Sequence, residues 1–415
     1  MIAFREALRV LGTRTGRRAF IGPKLVQLDL TDECLNNCVG CWARSPFLHS
    51  GEKYDTLERG TLSRAFVLGL VPQLRDAGVE HVFFAGGGEP FCHPDLMEFI
   101  EAVKLARMHV TINTNFLLVD EPKLRWLLDL RPDELIVSLW AGTGKTYASH
   151  HPNRTEKTFE RLTAMLALLA RLKAERNQEV PRVKLYDVVT RYNYMEIPRM
   201  IEYGREVGAE VVELAAFDPI PRRTDLFLLS PDQIAWVVTL LAEHRPAPPP
   251  EVWCDQFLRR IQHPDAAKGA YDNGVYYQTP CFAGWDYARV TTTGLVHSCL
   301  KSHRIPVGRL TEHSFHDIWF SDTQDEFRGH TLKIDVDDPY LRQIGHDIGF
   351  PLPGCFRICD NLGMNQARND QLHGLAPEET AMLDRMLDAA SDGADRARFE
   401  AIYAEFNPGW EPSHG

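Results

Sequence analysis

Three cysteines stand close together, Cys34, Cys38 and Cys41, spaced Cys-x3-Cys-x2-Cys. Three thiolates on one short loop hold three corners of a cubane iron–sulfur cluster and leave the fourth iron without a protein ligand. An open metal position is where a ligand or substrate binds. A zinc knuckle needs a fourth Cys or His nearby; His49 is the candidate, so this loop alone leaves zinc open. Four more cysteines, Cys281, Cys299, Cys355 and Cys359, gather late in the chain. Four thiolates complete the shell of every iron in a [4Fe–4S] cluster, or of one tetrahedral zinc. Cys92 and Cys254 stand apart and read as packing residues, Cys254 being also a candidate spare ligand. The run Gly86-Gly87-Gly88-Glu89-Pro90 is a second point of chemistry. Its glycines let backbone approach a ligand closely, and its carboxylate suits the ammonium of an amino acid.

These groups need a frame. β-Branched runs predict strands at Lys24–Leu30, His81–Ala85, His109–Thr114, Glu134–Trp140, Arg182–Thr190 and Val211–Phe217. Helical patterns fall between them, near 61–77, 94–107, 120–129, 155–176 and 194–207. Six βα-type units imply a parallel sheet with covering helices, too few for a closed eight-stranded barrel. The expected fold is therefore α/β, a partial (β/α)6 TIM-like barrel with a small C-terminal iron–sulfur domain. Chemistry in such a barrel sits at the C-terminal ends of the strands. The first cysteine group follows strand one, Glu89 follows strand two, Thr114 and Asn115 end strand three, and Ser138 lies in strand four.

The expected organisation has five parts. Residues 1–23 form a basic helix or arm, with Arg5, Arg9, Arg14, Arg17 and Arg18 facing only Glu6. It reads as an amphipathic helix under the main domain, or more sharply as a membrane-surface or partner-docking arm. Residues 24–225 form the barrel, and 226–278 a linker region containing the proline-rich stretch 245–251. Residues 279–362 form the iron–sulfur domain. Residues 363–415 form a helical tail that starts near Pro377 and carries Met382, Leu383, Met386 and Leu387 at helical spacing.

Composition removes several function classes. A net charge of −11 argues against a nucleic-acid partner. No apolar run reaches the roughly 20 residues that span a bilayer, and no secretory h-region opens the chain. An odd cysteine count of nine without an export signal argues against a disulfide framework. The expectation is a cytoplasmic protein without a transmembrane segment.

The Cys-x3-Cys-x2-Cys loop after the first strand of a six-unit partial barrel resembles the signature of the radical S-adenosylmethionine (SAM) superfamily, over roughly residues 24–217. The resemblance implies that the open iron chelates the amino and carboxylate groups of SAM, and that SAM is cleaved to a 5′-deoxyadenosyl radical. Gly87, Gly88, Glu89 and Pro90 resemble the family motif that holds the methionine moiety. Thr114, Asn115 and Ser138 resemble family positions near the ribose and methionine groups. One departure is that many members carry an aromatic just before the third cysteine, where this chain has Gly40 and then Trp42 after it. Trp140 stands where many relatives place an acidic residue, implying a flat apolar wall near the ribose.

The late cysteines, with Cys281-x12-Gly294-x4-Cys299 followed by Val307-Gly308-Arg309-Leu310 and Ile318-Trp319, resemble the auxiliary-cluster extensions called SPASM and twitch. A full SPASM domain carries about seven cysteines; four imply the one-cluster form. The implied cofactors are two [4Fe–4S] clusters and SAM. The implied partner is a low-potential electron donor such as flavodoxin or ferredoxin.

A fully ligated cluster has no open iron and suits electron transfer. The expected activity is that of an oxidoreductase. A carbinol of a sugar or aminocyclitol-like small molecule loses a hydrogen atom and a proton, and the auxiliary cluster accepts the second electron. An alternative is a SPASM-type maturase that modifies a ribosomally made peptide, although residues 1–23 are too few for the winged-helix domain that often precedes such barrels. A non-catalytic iron–sulfur or zinc scaffold is a third class. His151 and Asn153 are candidate hydroxyl-binding residues, against the plainer reading of a helix entry capped by Thr155. Arg222 and Arg223 are candidates for a carboxylate or phosphate, or are simply solvated. No catalytic acid or base is singled out.

Overall fold

The structure, a computed structural model, describes residues 1–48, 59–243, 248–345, 355 and 357–412. His49 and residues 245–247 of the proline-rich stretch lie outside the described residues.

The six expected strands form: β1 (Leu25–Asp29), β2 (His81–Ala85), β3 (His109–Thr114), β4 (Glu134–Ser138), β5 (Arg182–Val189) and β6 (Val211–Ala216). Each pairs in parallel with the next. Val26 and Leu28 of β1 join the apolar core, while Gln27 and Asp29 hydrogen-bond to each other on the opposite, inner face. This is the period-two alternation that a half-polar barrel interior demands. The crossover helices start at side-chain caps: Ser63 accepts from Phe66 N–H, and Asp120 from Lys123 N–H. The helix Glu156–Glu175 buries Phe159, Leu162, Leu166, Leu169 and Leu172, a three-to-four-residue spacing that keeps one stripe on the sheet.

The sheet continues past both expected edges. Strand β7 (Glu251–Trp253) pairs in parallel with β6, and β8 (Tyr287–Val290) pairs in parallel with β1. Strand β9 (Leu295–His297) then adds antiparallel to β8, and β10 (Gly308–Arg309) antiparallel to β9. The result is one open ten-stranded sheet, ordered β10-β9-β8-β1-β2-β3-β4-β5-β6-β7. Residues 226–278 are not a linker as expected, because β7 is bonded to β6 and the helix Asp255–Ile261 packs on β6 with Phe257 and Ile261 buried. The late cysteine region joins the same sheet, because its first strand is hydrogen-bonded to β1.

The basic N-terminal segment is the helix Phe4–Thr15. Phe4, Ala7, Leu8, Val10 and Leu11 pack against Met382, Leu383, Met386, Phe399, Ile402 and Tyr403 of the helices Pro377–Ser391 and Arg396–Phe406. Arg9 is no part of a solvated basic face: it is 1% exposed and bonds Glu80 at 2.6 Å and the Gly78 carbonyl at 3.0 Å. Among the described residues no helix is long and apolar enough to cross a membrane.

Candidate active site

Strand β1 delivers its cysteines onto the C-terminal rim through Thr31–Glu33, and β2 delivers its glycines beside them. The two segments are pressed together. A Cβ on Gly88 would lie 2.2 Å from the Glu33 carbonyl oxygen, and one on Gly87 would lie 2.3 Å from Asp32 Oδ1. No side chain fits there. Glu89 N–H then donates to the Glu33 carbonyl at 2.7 Å, fixing the carboxylate next to the cysteine loop.

Glu89 is 3% exposed and accepts from Thr114 Oγ1 at 2.6 Å, Asn115 N at 2.6 Å and Phe91 N at 3.2 Å. Burial pushes its pKa up to about 7, against the opposing pull of these three donors. The residues expected from the ends of strands two and three therefore meet at one carboxylate. Asn115 Nδ2 lies 3.6 Å from Cys34 Sγ, tying the same cluster of groups to the first thiol. Burial raises the pKa of Cys34, and of Cys38, which Cys41 and Cys34 raise further.

Gly40 stands where an aromatic was expected, and the structure shows what fills the space. A Cβ there would meet Phe217 Cε2 at 2.5 Å and Trp140 Cη2 at 3.0 Å. The aromatic wall is supplied from the ends of β4 and β6 instead of from the loop. Trp140 adopts the left-handed backbone region with φ 63°, a conformation that costs a bulky residue energy and needs outside support. That support is visible: Asn193 Nδ2 donates to the Trp140 carbonyl at 2.9 Å, and buried Asp187 accepts from Ala141 N–H at 3.2 Å. The indole N–H donates to Ser138 Oγ at 3.0 Å, so Ser138 and the wall are one unit.

His151 and Asn153 do not face a substrate space. His151 is 1% exposed and stacks on Tyr147 at 4.2 Å, with Nδ1 against the Tyr147 carbonyl. Asn153 Nδ2 donates to the Leu35 carbonyl at 2.7 Å, and Arg154 Nε donates to Asn36 Oδ1 at 2.8 Å. This loop braces the cysteine loop. Arg222 takes the left-handed conformation, φ 61°, just after β6.

Cys281, Cys299, Cys355 and Cys359 come together from three segments. Burial, and then a neighbouring thiol, push Cys281, Cys299 and Cys359 up to about 12; Cys355 is raised by burial, then by Cys359, Cys299 and Cys281. Thiols held neutral in this way lose their protons when a metal binds the thiolates. No group of three or more His, Cys, Asp or Glu side chains among the described residues is arranged around a single ion; a four-iron cluster needs its thiolates spread around it. The surroundings carry paired charges. Lys301, itself 5% exposed, pairs with Asp218 at 2.9 Å, and Arg260 bonds Asp272 at 2.9 Å and the Cys359 carbonyl at 2.6 Å. The four-thiol donor set fits a [4Fe–4S] cluster, and the three-thiol loop beside Glu89 fits a cluster with one open iron.

Residues 28–204 match the Radical SAM superfamily, and residues 281–341 match the SPASM iron–sulfur cluster-binding domain. The chain is a radical SAM protein with a C-terminal SPASM domain. A radical SAM enzyme of this kind uses SAM with a [4Fe–4S] cluster, and its SPASM domain carries auxiliary iron–sulfur. Among curated relatives, PqqA peptide cyclase of Gluconobacter oxydans is 27% identical over 293 residues, covering 68% of this chain and 72% of the cyclase. AdoMet-dependent heme synthase of Methanosarcina barkeri is 23% identical, covering 72% of this chain and 82% of the synthase. Among solved structures, Streptococcus suis SuiB bound to precursor peptide SuiA superposes with a TM-score of 0.57 at 15% identity, covering 85% of this chain and 74% of that one. The radical SAM fold, with an open parallel sheet, is common to both.

Several residues that the sequence reading passed over complete the radical SAM site. Asp187, Asn193 and Phe217 hold the aromatic wall, and Arg289 pairs with Asp29 at 2.7 Å to join β8 to β1 behind the cysteines. Isolated polar residues inside apolar strands, such as Asp187 in Leu-Tyr-Asp-Val-Val, were the available signal.

Proposed function

We propose that this radical SAM enzyme is a peptide maturase, which removes a hydrogen atom and a proton from a ribosomally made peptide and passes the substrate's second electron to the late cluster. The observation that carries the peptide reading is the 27% likeness to a peptide cyclase, which runs over 293 residues and so exceeds the barrel match at 28–204. A row of rings supports it. Trp140 lies 6.2 Å from Phe217, Phe217 lies 5.6 Å from Phe227, and Phe227 lies 5.5 Å from Phe47 and 5.4 Å from Tyr192. Tyr192 is 57% exposed, so the row leads from the wall beside the cysteine loop to the surface. Rings cover the apolar side chains of a peptide well.

When bound, the first cluster and SAM supply a 5′-deoxyadenosyl radical that takes the substrate hydrogen. The chain's own residues prepare for this. Cys34, Cys38 and Cys41 hold three irons. Glu89, positioned by Thr114 and Asn115, takes the ammonium of the methionine moiety, with Gly87, Gly88 and Pro90 shaping the turn. Ser138 orients the Trp140 indole, and Trp140 with Phe217 closes one side and excludes water. Cys281, Cys299, Cys355 and Cys359 hold the auxiliary cluster. A low-potential donor such as flavodoxin or ferredoxin delivers the first electron.

Oxidation of a small carbinol, the first expectation from the sequence, ranks second, because the curated relatives above are named for a peptide cyclase and a heme synthase. The test offers the reconstituted enzyme, with SAM and dithionite, a deuterated synthetic peptide library and, separately, a panel of deuterated cyclitols and sugars. Deuterium should appear in 5′-deoxyadenosine with peptides. Transfer from cyclitols alone would overturn the peptide reading and restore the carbinol one.

A further inference from the structure

Asn365 lies on the helix Leu362–His373, which follows Cys359, and its side chain is wholly buried at 0% exposure. Its Oδ1 accepts from the backbone N–H of Phe282, the residue after Cys281, at 2.8 Å. A backbone N–H can only be met by the amide's oxygen, so this bond fixes which way the amide points. The NH2 group then faces the other way, toward the Cys281 thiol, whose charged form the Asn365 side chain favours, although Nδ2 meets no acceptor at full hydrogen-bond geometry. A buried amide donor left unmet costs about 1–3 kcal/mol, and native interiors rarely keep one without a use.

The same device recurs at the first site. Asn36 is 4% exposed, Arg154 Nε claims its Oδ1 at 2.8 Å, and its side chain lies against both Cys38 and the Tyr147 hydroxyl. Two asparagines, each with its oxygen occupied, stand one beside each cysteine group. Around the late group, Lys301 N–H also points at Cys299 Sγ at 3.4 Å, and the Tyr276 side chain is hydrogen-bonded to Cys359. Sulfur is the acceptor that these donors share.

We propose that Asn365 donates an N–H···S hydrogen bond to the auxiliary cluster through the Cys281 sulfur, and that this bond raises the cluster's reduction potential. An added electron spreads negative charge over the sulfurs, and a donor aimed at one of them stabilises the reduced form more than the oxidised form. No atom is transferred: one electron enters from the reductant, and the hydrogen bond shortens. The inference rests on the assignment of Cys281, Cys299, Cys355 and Cys359 as cluster ligands. It is independent of whether the substrate is a peptide.

The test uses the full chain with Cys34, Cys38 and Cys41 replaced by Ala, so that only the auxiliary cluster remains. Asn365→Asp keeps the acceptor for Phe282 N–H and removes the donor; Asn365→Leu removes both. Iron content is measured first, and a parent chain without iron refutes the ligand assignment itself. With iron present, dithionite titration followed by EPR should show a lower midpoint in both variants. A tenfold shift of the reduction equilibrium reads as ~59 mV for one electron. Unchanged midpoints with intact iron overturn the proposal. If both variants lose iron, the unsubstituted position decides: asparagine labelled with 15N must give a 15N coupling to the reduced cluster in pulsed EPR. That coupling must persist in Asn361→Ala, which removes the neighbouring amide just before the same helix, whose Nδ2 is also unmet; its absence also overturns the proposal.

Discussion

At the first cysteine group, three thiols sit on one loop, with the carboxylates of Glu33 and Glu89 close by and the rim of the sheet open beside them. At the late group, four thiols arrive from three segments, among the salt bridges Lys301–Asp218 and Arg260–Asp272. Three thiols leave one iron of a cluster open, and four leave none. Under the proposed function, the difference suits a division of labour in which the first site serves SAM and the second receives an electron from substrate. The two sites are also tied together. Asp29 on β1 and Arg289 on β8 form a buried pair, and Arg289 Nη1 reaches the Leu300 carbonyl, next to Cys299, at 3.2 Å.

The largest expected effect removes one site at a time. Reconstitution should load about eight irons per chain, because seven thiolates and one SAM complete two cubanes. Replacing Cys34, Cys38 and Cys41 by Ala should leave about four irons and no SAM cleavage; replacing the late four should leave about four irons with cleavage retained. Iron assay and Mössbauer spectra check this, and an iron-free protein holding one zinc would break the comparison altogether.

A finer cut separates the roles. Cys355→Ala with Cys359→Ala should spare 5′-deoxyadenosine formation while product falls steeply, since the substrate radical has lost its acceptor. The readout is the ratio of the two products against the parent, with circular dichroism to exclude loss of the local fold. An unchanged ratio would make the late site structural.

Glu89→Gln should weaken SAM binding by about 1.5–3 kcal/mol through loss of a charge-assisted bond. The native pH profile follows from the upward shift to about 7. Below that value the carboxyl is mostly protonated, and the incoming ammonium must displace the proton. Affinity should therefore fall as pH drops through 7, by at most about tenfold per unit, and level off above it. Calorimetric titration across this range should give a flat profile for Glu89→Gln; a flat profile in the native enzyme would remove Glu89 from the site.

The smallest effect sharpens the wall. Gly40→Ala forces a methyl into the Phe217 and Trp140 rings and should cost about 1–3 kcal/mol by overpacking. Phe217→Leu in the same chain should recover part of that loss. A double-mutant cycle on thermal stability measures the coupling, and strict additivity would mean that Gly40 does not touch the wall.

The same contrast explains what was legible in the sequence. Strands β2 and β3 match the expected bounds, and β1, β4, β5 and β6 differ by one or two residues at their ends. The cysteine loop and the Gly-Gly-Glu-Pro turn are local patterns and could be read directly. The late strands β8 to β10 are two to four residues long, too short for a periodicity to show, and their place beside β1 is a long-range pairing. The wall was half legible. Trp140 stood out in strand four, but Phe217 and the left-handed turn held by Asp187 and Asn193 belong to distant segments. Asn36 and Asn365 carry no pattern at all, since only geometry shows that an amide oxygen is taken.

The helix Phe4–Thr15 has a consequence for synthesis. It leaves the ribosome well before Met382, Leu383, Met386, Phe399 and Ile402, which cover its apolar stripe. At ordinary elongation rates that stripe waits for on the order of tens of seconds. Alone, a helix of 12 residues is marginal in water. Until those residues emerge, then, the nascent chain offers Leu8, Val10 and Leu11 as a binding site for a chaperone.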